Sequence, residues 1–186
     1  MKLVILDRDG VINQDSANFI KNPNEWIPLP GSLEAIALLN QSGFRVVLAT
    51  NQSGVSRGLF DMATLNCIHD KMYRELAHVG GRIDALFYCP HSADEHCDCR
   101  KPKSGMIEEI GTRFSVELSE VPAVGDALRD LQAYATAGCQ PILVRTGKGE
   151  ETLASSITAA EKALPANTWI CNDLSEAVQR IITEYE

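Results

Sequence analysis

The chain has 186 residues, 45% hydrophobic and 23% charged, an ordinary globular composition with enough length for one full core. The net charge of −8 argues against a broad nucleic-acid surface, and no apolar run approaches the roughly 18 residues of a membrane span. Neither nucleic acid nor membrane is therefore an expected partner, and an anionic ligand would need a local cluster of cations.

Residues 2–6 form a short apolar run, too short for a helix and suited to a buried strand of a parallel sheet. It starts so early that no signal peptide is expected before it, and a cytoplasmic location is expected. The run breaks into Asp7-Arg8-Asp9-Gly10. Open α/β sheets bind ligands at the C-terminal ends of their strands. Two carboxylates crowded there repel each other unless a cation sits between them. Mg²⁺ prefers oxygen ligands and often shares its shell with substrate phosphate. Without an ion, the pair is only a solvated acidic turn.

Residues 11–30 are polar and punctuated, a loop crossing the top of the sheet, in which Asp15, Ser16, Ala17 and Asn18 are candidates to face a substrate. Ser32 is the expected N-cap of a helix that Gly43 stops. A second apolar strand, 44–49, ends in Thr50-Asn51-Gln52-Ser53-Gly54. A hydroxyl and an amide there can hold phosphoryl oxygens without adding charge, although the segment taken alone reads as a polar turn. Asp61 caps a long helix reaching about residue 78, with Leu65, Ile68, Met72 and Leu76 on one face. Cys67 and His69, within it, read as core or surface residues rather than ligands.

A third strand, 83–89, leads into Cys89-Pro90-His91, five residues, and then Cys97-Asp98-Cys99. Three thiolates and an imidazole match a closed tetrahedral zinc site, structural because no ligand position stays open. The alternatives are a chance cluster or a Cys97–Cys99 disulfide. His96 competes with His91, but its adjacency to Cys97 gives it poor geometry. Arg100, Lys101 and Lys103 follow at once and read as an anion clamp ahead of a helix over 104–114.

A short strand over 120–124 ends in Gly125-Asp126, and a helix over 127–137 places Asp130 one turn on, on the same face. This carboxylate pair at another strand end adds to the metal reading. Beyond Gly138 come a strand over 141–145, a Gly-rich turn over 146–149, a helix over 154–163, a strand over 168–171 and a helix over 174–182. Cys139 and Cys171 are isolated and read as core residues. Strands alternate with helices throughout, which predicts one domain, 1–186, with a doubly wound, mainly parallel Rossmann-like sheet and loop 89–99 as an insertion. The ends carrying D-x-D, T-N and G-D should converge on one crevice.

Together these residues resemble the haloacid dehalogenase-like phosphatases. Asp7-Arg8-Asp9-Gly10 matches the first motif, Thr50-Asn51 the second, Lys101 the third, and Gly125-Asp126 with Asp130 the fourth. The zinc loop running into Arg100-Lys101-Pro102 is similar to a branch whose members hydrolyse a heptose bisphosphate or histidinol phosphate, and the motif sequences look closer to the heptose enzymes. The resemblance implies a fold without a large cap domain. It implies that Asp7 is the nucleophile, forming an aspartyl-phosphate, and that Asp9 is the acid and then the base. Thr50, Asn51 and Lys101 would stabilise the phosphoryl group, and Mg²⁺ would be held by Asp7, the Asp9 backbone carbonyl and Asp126. Asp15, Asn18, Gln52, Ser53 and Arg100 would bind substrate, Arg100 reading a second phosphate or the sugar.

The implied reaction is Mg²⁺-dependent loss of the 7-phosphate of a heptose 1,7-bisphosphate, in lipopolysaccharide core biosynthesis, by a monomer carrying structural Zn²⁺ on Cys89, His91, Cys97 and Cys99. Two other readings are a histidinol-phosphatase and a catalytically silent phosphosugar-binding or zinc-scaffold module. Some relatives carry Lys after the fourth-motif Asp, where this chain has Ala127.

Overall fold

The computed structural model describes residues 1–185. Six strands form one sheet: β1 (Leu3–Leu6), β2 (Arg45–Asn51), β3 (Ala85–Cys89), β4 (Pro122–Gly125), β5 (Gln140–Val144) and β6 (Trp169–Cys171). Their order is β3-β2-β1-β4-β5-β6, and every pairing is parallel. The chain builds outward from β1 to β3, then returns to place β4 on the other side of β1. The strand order therefore reverses between β1 and β4, where open α/β sheets form a ligand crevice.

Alternation of side chains along the strands divides the core in two. Val4, Leu6, Val46 and Leu48 pack on one face with α1 (Ser32–Gln41), α2 (Met62–His78) and α6 (Leu174–Glu184). Leu3, Ile5, Val47 and Ala49 pack on the other with α3 (Gly105–Phe114) and α4 (Leu128–Ala137). Both faces are covered, which is why these strands read as continuous apolar runs. A further helix, α5 (Gly149–Thr158), buries only Gly149.

Most predicted elements occur within a residue or two of the observed ones. Asp61 accepts the Thr64 N–H at 2.8 Å as the cap of α2. Two expectations need correction. Ser32 is not a cap: Gly31 occupies that position with φ 75°, and the Ser32 hydroxyl donates instead to Ile12 O at 2.6 Å and Leu29 O at 2.9 Å. This ties the 11–30 loop to α1. The second concerns α5, which starts and ends five residues before the predicted 154–163. Its entry turn is held by the Gly149 N–H on Thr146 O and the Thr152 hydroxyl on Asp126 O. A local turn bond and one tertiary hydrogen bond, rather than an amphipathic face, set its start. Among the described residues no helix is long and apolar enough to cross a membrane.

Candidate active site

β1 delivers Asp7, β2 delivers Thr50 and Asn51, and β4 delivers Asp126, all at the same edge because the strands are parallel. The Asp7 N–H donates to Val124 O at 2.9 Å, carrying the sheet ladder one residue past β1. Asp7 Oδ1 accepts the Arg8 N–H at 2.8 Å and lies 3.1 Å from Lys101 Nζ. Oδ2 has no such partner.

Lys101 is fully buried, and its ammonium is held three ways. It contacts Asp7, pairs with Asp130 Oδ1 at 2.8 Å and donates to Ala49 O at 2.7 Å. Its backbone is gripped as well. The Asn51 amide donates to Lys101 O at 3.0 Å and accepts the Lys101 N–H at 3.1 Å. Asn51 therefore spends both ends of its side chain on the Lys101 backbone. Asp130 is also committed, since its other oxygen accepts the Ala127 N–H at 3.0 Å. Of the cluster Asp7, Asp126 and Asp130, whose oxygens lie within 4.8 Å of one another, Asp7 and Asp126 are thus the carboxylates free to face a cation.

Two glycines make room for Asp126. Gly10 (φ 82°) and Gly147 (φ 58°) both take the left-handed conformation, and a Cβ on either would overlap the Asp126 carboxylate. The Lys148 N–H donates to Asp126 Oδ2 at 2.8 Å. The Gly-rich turn after β5, which carried no assigned role in the sequence, forms a wall of the site.

Burial, reinforced by Asp130 and Asp9, raises the Asp7 pKa to about 6 against the opposing pull of Lys101. Burial, with Asp130 and Asp7, raises that of Asp126 to about 8. Two buried acids that resist ionisation side by side fit a divalent oxygen-seeking cation, which would neutralise both. A sign follows for pH. The metal-free fold holds more protons than the unfolded chain between about pH 4 and 8, so these groups make it less stable as pH rises through that window. A Mg²⁺ ion bound to Asp126 would have to displace its proton. Its affinity should rise up to about tenfold per pH unit between pH 6 and 8, with release of about one proton per ion at pH 7. Calorimetry in two buffers of different ionisation enthalpy measures this. A pH-independent affinity with no proton release would count against Asp126 as a ligand.

Asp9 sits in a net of donors. Arg8 Nε and Nη2 reach its carboxylate at 3.1 Å and 3.0 Å, Asn13 Nδ2 at 2.9 Å and Gln52 Nε2 at 3.0 Å. Burial opposes its ionisation, but Arg8 and these hydrogen bonds outweigh that and hold the acid below its ordinary range. Arg8, fully buried, also donates to His69 Nε2 at 3.0 Å. A guanidinium only donates, so the His69 ring is neutral with its proton on Nδ1. Burial and Arg8 push its pKa down to about 3. The buried Arg8–His69 pair had no signal in the sequence beyond the position of Arg8 between the two acids.

A cavity of about 240 Å³ opens above these groups. Its lining includes Asp7, Asp9, Asp15, Thr50, Asn51, Gln52, Ser53 and Arg100 from the sequence reading, and Phe19, Arg57, Arg129 and Lys148, which that reading missed. Asn18 is exposed and does not line it; its backbone carbonyl instead accepts from Lys21 Nζ at 2.7 Å. The clamp of three cations is split. Lys101 is buried and Arg100 lines the cavity, but Lys103 lies at the surface, paired with Asp98 at 3.0 Å. The cations in the walls supply, in a chain of net charge −8, the local positive field that an anionic ligand requires.

Beside the cavity, Cys89, His91, Cys97 and Cys99 converge. Cys89 Sγ lies 3.6 Å from Cys97 Sγ and 3.6 Å from His91 Nδ1, and Cys99 Sγ is 3.4 Å from the same nitrogen. A tetrahedron with zinc–sulfur bonds of ~2.3 Å and zinc–nitrogen bonds of ~2.0 Å has edges of about 3.5–3.8 Å. The four groups fit zinc, with His91 offering Nδ1. His96 stands outside the cluster, with φ 51°. Arg100 Nη1 donates to His91 O at 3.2 Å, and the Ser56 hydroxyl meets Glu95. The zinc loop thus touches both segments that bring Arg57 and Arg100 to the cavity.

An acid-lined, cation-walled crevice at the switch point of a parallel sheet is built for metal-assisted chemistry on an anion. Residues 98–177 match the HAD-hydrolase-like family model. The chain is 59% identical to the D-glycero-beta-D-manno-heptose-1,7-bisphosphate 7-phosphatase of Bordetella bronchiseptica, over 99% of both chains. It is 48% identical to the Pseudomonas aeruginosa protein of the same name, over 97% of both. The crystal structure of the B. bronchiseptica D,D-heptose 1,7-bisphosphate phosphatase, complexed with magnesium and phosphate, superposes with a TM-score of 0.94 over 99% of both chains. The chain belongs to the haloacid dehalogenase-like hydrolases.

Proposed function

We propose that this protein is a Mg²⁺-dependent phosphatase that removes the 7-phosphate of D-glycero-D-manno-heptose 1,7-bisphosphate, acting as a cytoplasmic monomer. The observation that carries the chemistry is Asp7, buried at the end of β1, 3.1 Å from Lys101 and facing a cavity walled by cations. The substrate is supported by the full-length relatives, which carry that enzyme's name. Histidinol phosphate is not favoured, because the full-length relatives carry the heptose enzyme's name.

Mg²⁺, held by Asp7, Asp126 and the Asp9 backbone carbonyl, would supply charge that draws the Asp7 carboxylate and the phosphate together. The chain's own residues do the rest. An Asp7 oxygen attacks phosphorus, and the sugar oxygen leaves with the phosphorus–oxygen bond broken. Asp9 gives that oxygen a proton. In the substrate-free protein Asp9 is held ionised, so it must first gain the proton, and the arriving phosphate, being negative, favours that. Asp9, again a carboxylate, then takes a proton from water. The resulting hydroxide attacks phosphorus and frees Asp7. Lys101 and the Thr50 hydroxyl meet the charge on the phosphoryl oxygens. Asn51 contributes by fixing Lys101 rather than through a free amide.

Arg100, beside the zinc loop, is assigned to the second phosphate, which a planar guanidinium can bind bidentately. Phosphate release from the heptose bisphosphate, its monophosphate and histidinol phosphate tests the assignment. The bisphosphate should be turned over with the highest kcat/KM, and Arg100→Ala should lower that value by about 10- to 100-fold while affecting the monophosphate less. Preference for histidinol phosphate would overturn the substrate. Equal losses on both sugars would remove Arg100 from the second phosphate.

A further inference from the structure

Almost every cation near the cavity is spoken for. Lys101 is bound to Asp7, Asp130 and Ala49 O; Lys148 pairs with Asp15 at 3.2 Å; Arg8 holds Asp9 and His69. Arg100 donates to His91 O, and Arg57 is exposed, 5.9 Å from the Phe19 ring.

Arg129 differs. It lies in the first turn of α4, three residues after Asp126, and lines the cavity. Its Nε is buried and has no hydrogen-bond partner among the described residues. Among the described residues it forms no ion pair within 4.0 Å, although the charges of Asp130, Asp7, Asp126 and Asp15 all act on it. A buried donor without a partner is costly, and native proteins rarely leave one so. A guanidinium that lines the cavity, feels the charge of four carboxylates and pairs with none is held for something that enters the cavity. That guest must be anionic, and a planar fork of donors matches a phosphoryl group.

We propose that Arg129 is a substrate-binding residue whose guanidinium takes an oxygen of the phosphoryl group being transferred to Asp7. The transferred group is chosen over a distal phosphate because Arg129 stands in the first turn of the helix that follows Asp126, three residues on, and its charge acts on both Asp7 and Asp126. Arg57 and Arg100 stand instead on the segments joined to the zinc loop. The inference rests on the phosphatase reading above and adds a residue to that site. As the transition state spreads charge over the phosphoryl oxygens, a bidentate cation strengthens its hold.

The competing role is charge balance: Arg129 would merely offset the acids until Mg²⁺ arrives. Arg129→Gln and Arg129→Lys separate the two. For each, measure the Mg²⁺ affinity, the affinity for inorganic phosphate at saturating Mg²⁺, the kcat/KM and the circular dichroism. Arg129→Gln should weaken phosphate at least about tenfold and lower kcat/KM by about 100-fold or more. Arg129→Lys should recover part of both, keeping the charge but not the fork. If Arg129→Gln fails to fold, Arg129→Lys decides, with a several-fold loss of phosphate affinity expected. Unchanged phosphate affinity would overturn the proposal, as would a change confined to Mg²⁺ affinity. Wild type that binds phosphate but leaves the heptose bisphosphate intact would refute the substrate reading, while phosphate affinity in the variants still decides the role of Arg129.

Discussion

Asp7→Asn is expected to abolish turnover and leave the fold in place. The amide keeps the shape of the side chain, and its oxygen can still accept the Arg8 N–H that Oδ1 accepts at 2.8 Å. It is not a nucleophile, so the aspartyl-phosphate cannot form. The loss should be at least about 10⁴-fold, equivalent to ~5.5 kcal/mol of barrier. Stability should move the other way. Burial and its neighbouring acids raise the Asp7 pKa to about 6, so its charge disfavours the metal-free fold above that pH, and the neutral amide removes this cost. Lys101 retains Asp130 at 2.8 Å as its counter-ion. The thermal midpoint of the metal-free variant at pH 8 should therefore equal or exceed that of wild type. Near wild-type turnover in purified Asp7→Asn would sink the assignment of the nucleophile, whereas turnover lost together with circular dichroism would mean that the fold had failed instead.

Cys99→Ser carries the second largest expected effect. Between Cys89 and Arg100 no residue is fully buried, and the short turn at residues 93–95 buries none. A fully buried Leu or Ile contributes ~1.5–3 kcal/mol, and this loop has nothing of the kind to order it. The metal must supply that free energy, on the order of 10 kcal/mol for a structural zinc site. Losing one thiolate should release zinc to a chelator that leaves wild type loaded. Activity should fall with it, but through a particular path. Lys101 is tied to β2 by the two Asn51 bonds, independently of zinc. Arg100 is held through His91 O inside the zinc loop, and the Arg57 segment through Ser56 and Glu95. Cations displaced by about 1 Å can lose on the order of 100-fold in rate. The loss should appear mainly in KM for the bisphosphate, with the sheet intact by circular dichroism. A zinc-free variant with full activity would reduce the metal to a stabilising clip, and a variant that keeps its zinc would show that Cys99 is not needed as a ligand.

The sequence sufficed for whatever depends on neighbours along the chain. Apolar runs too short for helices, broken at their ends by Asp7-Arg8-Asp9-Gly10, Thr50-Asn51 and Gly125-Asp126, marked the strands and the edge where the chemistry lies. The spacing of Cys89, His91, Cys97 and Cys99 marked the zinc loop, since four ligands so close in the chain can meet whatever the rest of the fold does. Only the tertiary structure decided which donors are already spent. Asn51 and Gln52 look like free amides in the sequence. In the fold, one grips the Lys101 backbone and the other bridges Asp9 and Thr50. His69 looks like an ordinary helix residue until α2 lays it against Arg8, 61 positions away. Gly10 and Gly147 read as unrelated turns, and their close approach to Asp126 exists only because β1, β4 and β5 lie side by side. Arg129 gave no signal because an arginine in a helix's first turn is usually solvated. What sets it apart is a buried Nε without a partner on a half-buried side chain, and burial and pairing are properties of packing, which residues distant in the chain create together.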